Sequence, residues 1–346
     1  MTTFYLTQEN VEIEVTRDSF KASLQNQQVF RSRISNVSQF IIFGNIRLPK
    51  EVIKAIYSYK IPTLYLSTQG YGYVGRLENP SNSRPKYLTQ QRKRARDVKF
   101  ILATVESMIW AKLHNQHTFL QGWTQYHFNY AIERALEYLT LLMDNLSLAS
   151  SVEELREYSE EADNVYRYAF ASLLEFYKPC ERAVKEVSTL LNLGTRLLHQ
   201  YIYTILNTVE LHPDYGVLHH DIHHELPLAW DFTAEFQAPI VDDLVLNFVR
   251  NLASSNGNGN GKKRSLTLLQ NFLYHWEAKL RTSVLHPYAG EVSYRQCIDL
   301  QVREYLACLL GDITYYRPLA LKLHPNHSQL ANIVEPQKAA LTLVKQ

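Results

Sequence analysis

Near residue 80 the apolar residues of this chain change their spacing, and that change restricts the fold to two unlike parts. Before it, Phe4, Leu6, Val11, Ile13 and Val15 stand at mostly alternating positions, as in a half-buried strand. Phe40-Ile41-Ile42-Phe43 is a short apolar run closed by Gly44-Asn45, and Thr63-Leu64-Tyr65-Leu66 is a second, followed by the turn residues 67–70. Between these runs, residues 49–57 predict one helix with Pro49 near its first turn. The Pro-, Ser- and Asn-rich stretch 79–85 favours extended or turn backbone, so segment 81–87 reads as a linker.

After the linker, helical spacing takes over and predicts helices over 88–120, 128–146, 152–177, 183–211, 242–252, 266–280 and 294–310. The Asn/Gly repeat at 255–261 cannot pack a core and reads as a surface loop. The expected fold class is therefore α+β: a small N-terminal β-rich domain, 1–80, followed by a larger all-α domain, 88–346. A chain of 346 residues with 46% hydrophobic residues, 23 Tyr among the rest of its aromatics, supplies enough apolar surface for two cores and excludes wholesale disorder. Cys180, Cys297 and Cys308 form neither a disulfide framework nor a CxxC site, which fits a reducing cytoplasm. No apolar run reaches the ~18 residues of a membrane span, and the first 15 residues lack a signal-peptide pattern.

Charge is close to balanced, 36 Lys+Arg against 34 Asp+Glu, which excludes a uniformly basic nucleic-acid binder but not a local patch. Such a patch exists: Arg84, Lys86, Arg92, Lys93, Arg94, Arg96 and Lys99 face a single acid, Asp97, and suit a phosphate backbone. Lys262-Lys263-Arg264 is a second, weaker cluster. The stretch 218–225 carries His219, His220, Asp221, His223, His224 and Glu225, all groups that ligate divalent metals, though in no zinc-finger or HExxH spacing. Close behind it, Asp231 and Glu235 stand four apart, on one face of a helix. No P-loop, GxSxG, GxGxxG or kinase pattern is present.

Taken in order, several of these segments resemble a known family. They are 40–77, Gly216-Val217-Leu218-His219, Leu228-Ala229-Trp230-Asp231 with Glu235-Phe236, Pro239-Ile240-Val241-Asp242, Tyr294-Arg295 with Ile298 and Gln301, and Tyr315-Tyr316-Arg317-Pro318. Together they resemble the CRISPR-associated spacer integrases, the metal-dependent DNA endonucleases and integrases of CRISPR adaptation, with this chain as a divergent member. The resemblance implies a dimerising β domain and a helical DNA-binding and catalytic domain. It also implies a homodimer that assembles with a second, small adaptation subunit around short duplex DNA. The chemistry it implies is attack by DNA 3′-hydroxyls on the repeat array, assisted by Mg or Mn that offsets the charge gathered on the phosphoryl group.

In the family that metal is held by a glutamate of an early helix, a histidine, and an acid three residues after an aspartate. His219 matches the histidine and Asp231 the aspartate, but the acid is replaced by Ala234, with Glu235 one step further on. The glutamate motif matches Leu155-Arg156-Glu157-Tyr158-Ser159-Glu160, where the ungapped register puts Ser159 at the glutamate position and a slip brings in Glu160 or Glu161. Two outcomes follow from the resemblance. One is an active enzyme with His219, Asp231 and Glu235 as catalytic residues, metal on His219, Glu160 or Glu161 and Glu235, and DNA on the 84–99 cluster and Arg295. The other is a degenerate member without a cofactor, acting as a structural DNA-binding subunit. A reading outside the family is a metal-binding or scaffold protein built on the histidine-rich loop.

Overall fold

The computed structural model describes residues 2–25, 27–68, 70, 72–77, 86–125, 129–176, 181–219, 225–254 and 261–322. They divide into two compact units, one holding 2–77 with 261–275 and the other 86–254 with 276–322.

The first unit contains two sheets. Strands β1 (Thr2–Leu6), β5 (Val37–Phe43), β6 (Thr63–Leu66) and β7 (Tyr73–Leu77) pair in the order β1-β5-β6-β7, with β1 and β6 parallel to β5 and β7 antiparallel to β6. Strands β2 (Val11–Thr16), β3 (Ser19–Leu24) and β4 (Gln27–Arg33) form an antiparallel meander. Helix α1 (Lys50–Ser58) is the crossover that a parallel β5–β6 pair requires. The apolar run at 40–43 becomes the C-terminal half of β5, buried on both faces as parallel strands usually are. Phe4, Phe20, Phe30 and Phe40 meet ring to ring with centroids 4.7 to 6.1 Å apart, and Val52, Ala55 and Ile56 of α1 join the same core. The alternation read across residues 4–15 is broken by a turn at 9–10 and belongs to two strands in different sheets.

The second unit is helical: α2 (Leu88–Arg94), α3 (Val98–Thr124), α4 (Tyr130–Asn145), α5 (Val152–Phe176), α6 (Glu181–Thr208), α7 (Pro227–Phe236), α8 (Asp243–Ser254) and α10 (Tyr294–Leu310). Helix α9 (Gly261–Arg281) runs across the division between units, and β8 (Ser283–His286) and β9 (Gly290–Ser293) form a hairpin after it. The helix expected over 88–120 is two helices, because Asp97 caps the N-terminus of α3 by accepting the Phe100 N–H. Asn129 caps α4 likewise, Ser293 and Gln296 form a capping box on α10, and Gly311 at φ 87° closes α10. Helix α3 is the axis of this unit, packing on α4, α5 and α7. Between α7 and α8 one wide π-helical turn, Gln237–Asp242, carries Pro239. Among the described residues no helix is long and apolar enough to cross a membrane.

Candidate functional site

The site begins at a turn held by one carboxylate. Asp231 of α7 is fully buried, and its oxygens accept the main-chain N–H groups of Val217 (2.6 Å), Leu218 (3.3 Å) and His219 (2.9 Å). The same carboxylate binds Nδ1 of the His219 ring at 2.8 Å. That bond assigns the proton to Nδ1 and the lone pair to Nε2, the arrangement in which a histidine serves as ligand or base. Asp231 is therefore a positioning residue for His219 rather than part of the reactive surface. The turn is tight against α7: a Cβ on Gly216 would lie 2.8 Å from Pro227 Cβ and 2.9 Å from the His219 carbonyl oxygen. Gln91 of α2 braces the preceding segment by pairing with both the N–H and the carbonyl of His212.

Helix α5 flanks this turn. Arg156 Nε donates to the Leu218 carbonyl at 2.9 Å, and Ser159 stands one helical turn on from Arg156. Ser159 is buried on the same face as Leu155, Ala162 and Tyr166. Glu160 and Glu161 are exposed, and Glu161 accepts the Tyr138 hydroxyl of α4. Ser159 of the ungapped register is thus buried, while Glu160 and Glu161 of the slipped registers stand on the exposed side of α5.

What meets Ser159 instead is a lysine. Lys112 Nζ of α3 lies 2.8 Å from Ser159 Oγ and 2.7 Å from Asp163 Oδ1, with its side chain only 11% exposed. Gln116, one turn along α3, donates to the same Asp163. The polar row continues through Tyr166, whose hydroxyl donates to Asp242 (2.7 Å), and Gln237, which bridges Asp242 and Thr195. Burial raises the Asp242 carboxyl to about 6 despite those two donors.

Glu235 does not reach the site. It follows the half-exposed Ala234 by one position, a rotation of ~100° that turns it into the core. There it accepts from the Tyr316 hydroxyl (2.6 Å) and Gln301 Nε2 (3.4 Å). Burial raises its carboxyl to about 8, so it is chiefly protonated at neutral pH.

The basic residues separate into two kinds. Lys86, Arg92, Lys93, Arg96 and Lys99 are exposed, Arg92 also donating to the Tyr215 hydroxyl. Arg94 is structural: it donates to the Leu309 carbonyl, pairs with Asp97 at 3.0 Å and covers the Phe100 ring. Arg295 is ion-paired with the buried Glu277 and set against Tyr201. Arg84 and His220, Asp221, His223 and His224 lie outside the described residues, as does Cys180. Lys112 and Asp163 escape a reading by motif. Their signal is the polar trio Lys112, Asn115 and Gln116 on the buried face of an otherwise apolar helix.

These residues do not fit the divalent cation that the resemblance implies. Of the expected ligand positions, Ser159 is taken by an ammonium, Ala234 offers a methyl group, and Glu235 faces the core. Among the described residues no three His, Cys, Asp or Glu side chains converge.

Solved structures share this fold of a small β-rich unit followed by a helical one. A CAS1 protein from Thermotoga maritima superposes with a TM-score of 0.70 at 19% identity over 89% of this chain and 97% of that one. A casposase bound to integration product gives 0.70 at 20% identity over 92% and 93%. The sequence profile of CRISPR associated protein Cas1 matches residues 4–275, and the chain belongs to that family. A CRISPR-associated endonuclease Cas1 of Thermus thermophilus is 26% identical over 333 residues, 92% of this chain and 95% of the relative.

Proposed function

We propose that this chain is a DNA-binding subunit of CRISPR adaptation that keeps the Cas1 scaffold and has lost metal-dependent cleavage. The observation that carries the reading is the Lys112 ammonium seated on Ser159 and Asp163, where an integrase needs a free carboxylate. The exposed basic residues Lys86, Arg92, Lys93, Arg96 and Lys99 supply the phosphate-binding surface. A solved Cas6-RT-Cas1–Cas2 complex shares the fold, which supports a second, Cas2-type subunit as partner; the homodimer, the short duplex DNA and the cytoplasmic setting are what the family resemblance implies. His219, fixed by Asp231, is kept as a contact to the DNA end.

The test is strand transfer and cleavage of short duplexes in Mg or Mn, run beside the Thermus thermophilus relative. Duplex binding without turnover is the expected result. Turnover comparable to that relative, lost in His219→Ala, would restore the endonuclease reading with Glu160 or Glu161 recruited as ligand.

A further inference from the structure

The exposed charges of the second unit are sorted by sign. We propose that the outer face of α4 and α5 is a docking surface for a second copy of this chain, whose basic α2–α3 face binds it head to tail and leaves it when DNA takes the same cations. The docking stands by itself, and only its displacement rests on the DNA-binding reading above.

Three observations carry it. First, the two helices present one continuous surface. The Tyr138 hydroxyl on Glu161 and the Asn129 amide on Ser172 tie them side by side. Helix α4 turns a single stripe outward, Tyr130, Glu133, Glu137, Leu141 and Asp144, at helical spacing. Second, that surface is acidic and keeps apolar side chains in water. The two helices expose eight carboxylates against two arginines, and Glu133, Glu137, Asp144, Glu157, Glu160 and Glu175 have no ion pair among the described residues. Such a face repels DNA and attracts a basic partner. Between the acids, Tyr168 is 72% exposed, Tyr130 69% and Leu141 53%, with Leu148 just beyond α4 at 73%. Aromatic and leucine side chains set among like charges are the mark of a protein-binding surface. Third, the complement is on the same chain. Lys86, Arg92, Lys93, Arg96 and Lys99 are exposed around Val98, itself 74% exposed. No ion pair joins the two faces within one chain among the described residues. A chain that carries a surface and its complement associates heterologously, so the contact repeats from copy to copy.

The experiment measures the mass of the full-length protein by light scattering at about 0.05 M and about 0.5 M salt, which bracket the screening of exposed charge. Expected is a larger assembly at low salt, with the contact at least roughly tenfold weaker at high salt. Glu137→Lys/Glu157→Lys/Glu160→Lys and Lys93→Glu/Arg96→Glu/Lys99→Glu should each abolish the low-salt growth. Mixing the two should restore it, because each retains the face that the other has lost. A mass that ignores salt, growth that survives in either variant, or a mixture that stays apart overturns the proposal. Should either triple variant melt early, Tyr168→Ser/Leu148→Ser decides at unchanged charge: undiminished growth refutes the docking, and reduced growth supports it. A short duplex added at low salt should disperse the assembly. Duplex that binds and leaves the assembly intact overturns the displacement. Duplex that binds at neither salt concentration fails the DNA-binding reading instead, and the mixing result still decides the docking.

Discussion

Asp231 binds both the main-chain N–H and the ring Nδ1 of His219, at 2.9 and 2.8 Å. One buried carboxylate thereby sets the position of the residue and the tautomer of its ring, and it does so while holding the two preceding N–H groups as well. The turn and its histidine are a single object built on that carboxylate.

Replacing Asp231 therefore acts on stability before it acts on DNA. Asp231→Asn keeps the shape but presents an N–H₂ to main-chain donors. Charge-assisted bonds of this kind are worth about 1.5–3 kcal/mol each, so a loss of roughly 2–4 kcal/mol is expected in urea unfolding. His219→Ala, at a half-exposed ring, should cost less than about 1 kcal/mol in the same measurement. Equal losses would mean that the turn is held elsewhere.

Glu235 gives the fold a pH dependence of defined sign. Its carboxyl is raised from 4.5 to about 8 in the folded chain, so the folded state retains a proton that the unfolded chain releases. Stability is full below the unfolded value and falls as pH rises from about 4.5 to 8, by roughly 4–5 kcal/mol over that window. Asp242, raised from 3.8 to about 6, acts in the same direction over the lower part of it. Glu235→Gln, neutral at every pH, should flatten the stability profile between pH 5 and 8. A profile unchanged by the substitution would show that the carboxyl is ionised in the core.

The basic cluster divides into residues that bind and residues that build. Lys93, Arg96 and Lys99 changed together to Gln should lower duplex affinity and reduce the slope of log affinity against log salt by roughly 2–3, with stability unchanged. Arg94→Gln should do the opposite, because it removes the bonds to Leu309 and Asp97 and the contact with Phe100. Its expected effect is a loss of about 1–2 kcal/mol in denaturant at nearly constant salt slope.

Arg295→Met removes a cation partner from the buried Glu277, leaving it with Arg281 at 3.5 Å. A buried carboxylate stripped of its main partner costs about 3 kcal/mol. Adding Glu277→Gln should recover part of that loss, and duplex affinity should be unchanged in both variants. A fall in affinity at constant stability would return Arg295 to the DNA surface.

The helices were legible because their apolar faces are long. The bounds of α4, α5, α6 and α10 lie within a few residues of the periodic segments. Strand β4 was not, because Gln27–Arg33 is an edge strand with no buried position and so no apolar alternation. The gap between α2 and α3 was hidden by Asp97, which counts as one acid in a basic cluster until its cap to Phe100 is seen. In the site, Glu235 was expected as a ligand, and its inward turn is seen only in the structure, one position and ~100° round the helix from Ala234. The Lys112–Ser159 bond was not readable, because it joins residues 47 apart on two helices, and no local pattern encodes that crossing.

The strand order of the first unit dictates a sequence of events when the chain is made. Strand β1 has its neighbour in β5, with Leu6 paired to Ile42, while β2, β3 and β4 pair only with each other through short turns. Local hairpins close quickly and distant parallel pairs slowly. The meander is therefore complete while the first strand still waits for residue 42 to emerge. During that interval Phe4 has Phe20 and Phe30 of the meander to pack on but lacks Phe40, and Leu6 lacks Ile42, so the N-terminal strand stays unpaired until β5 is made.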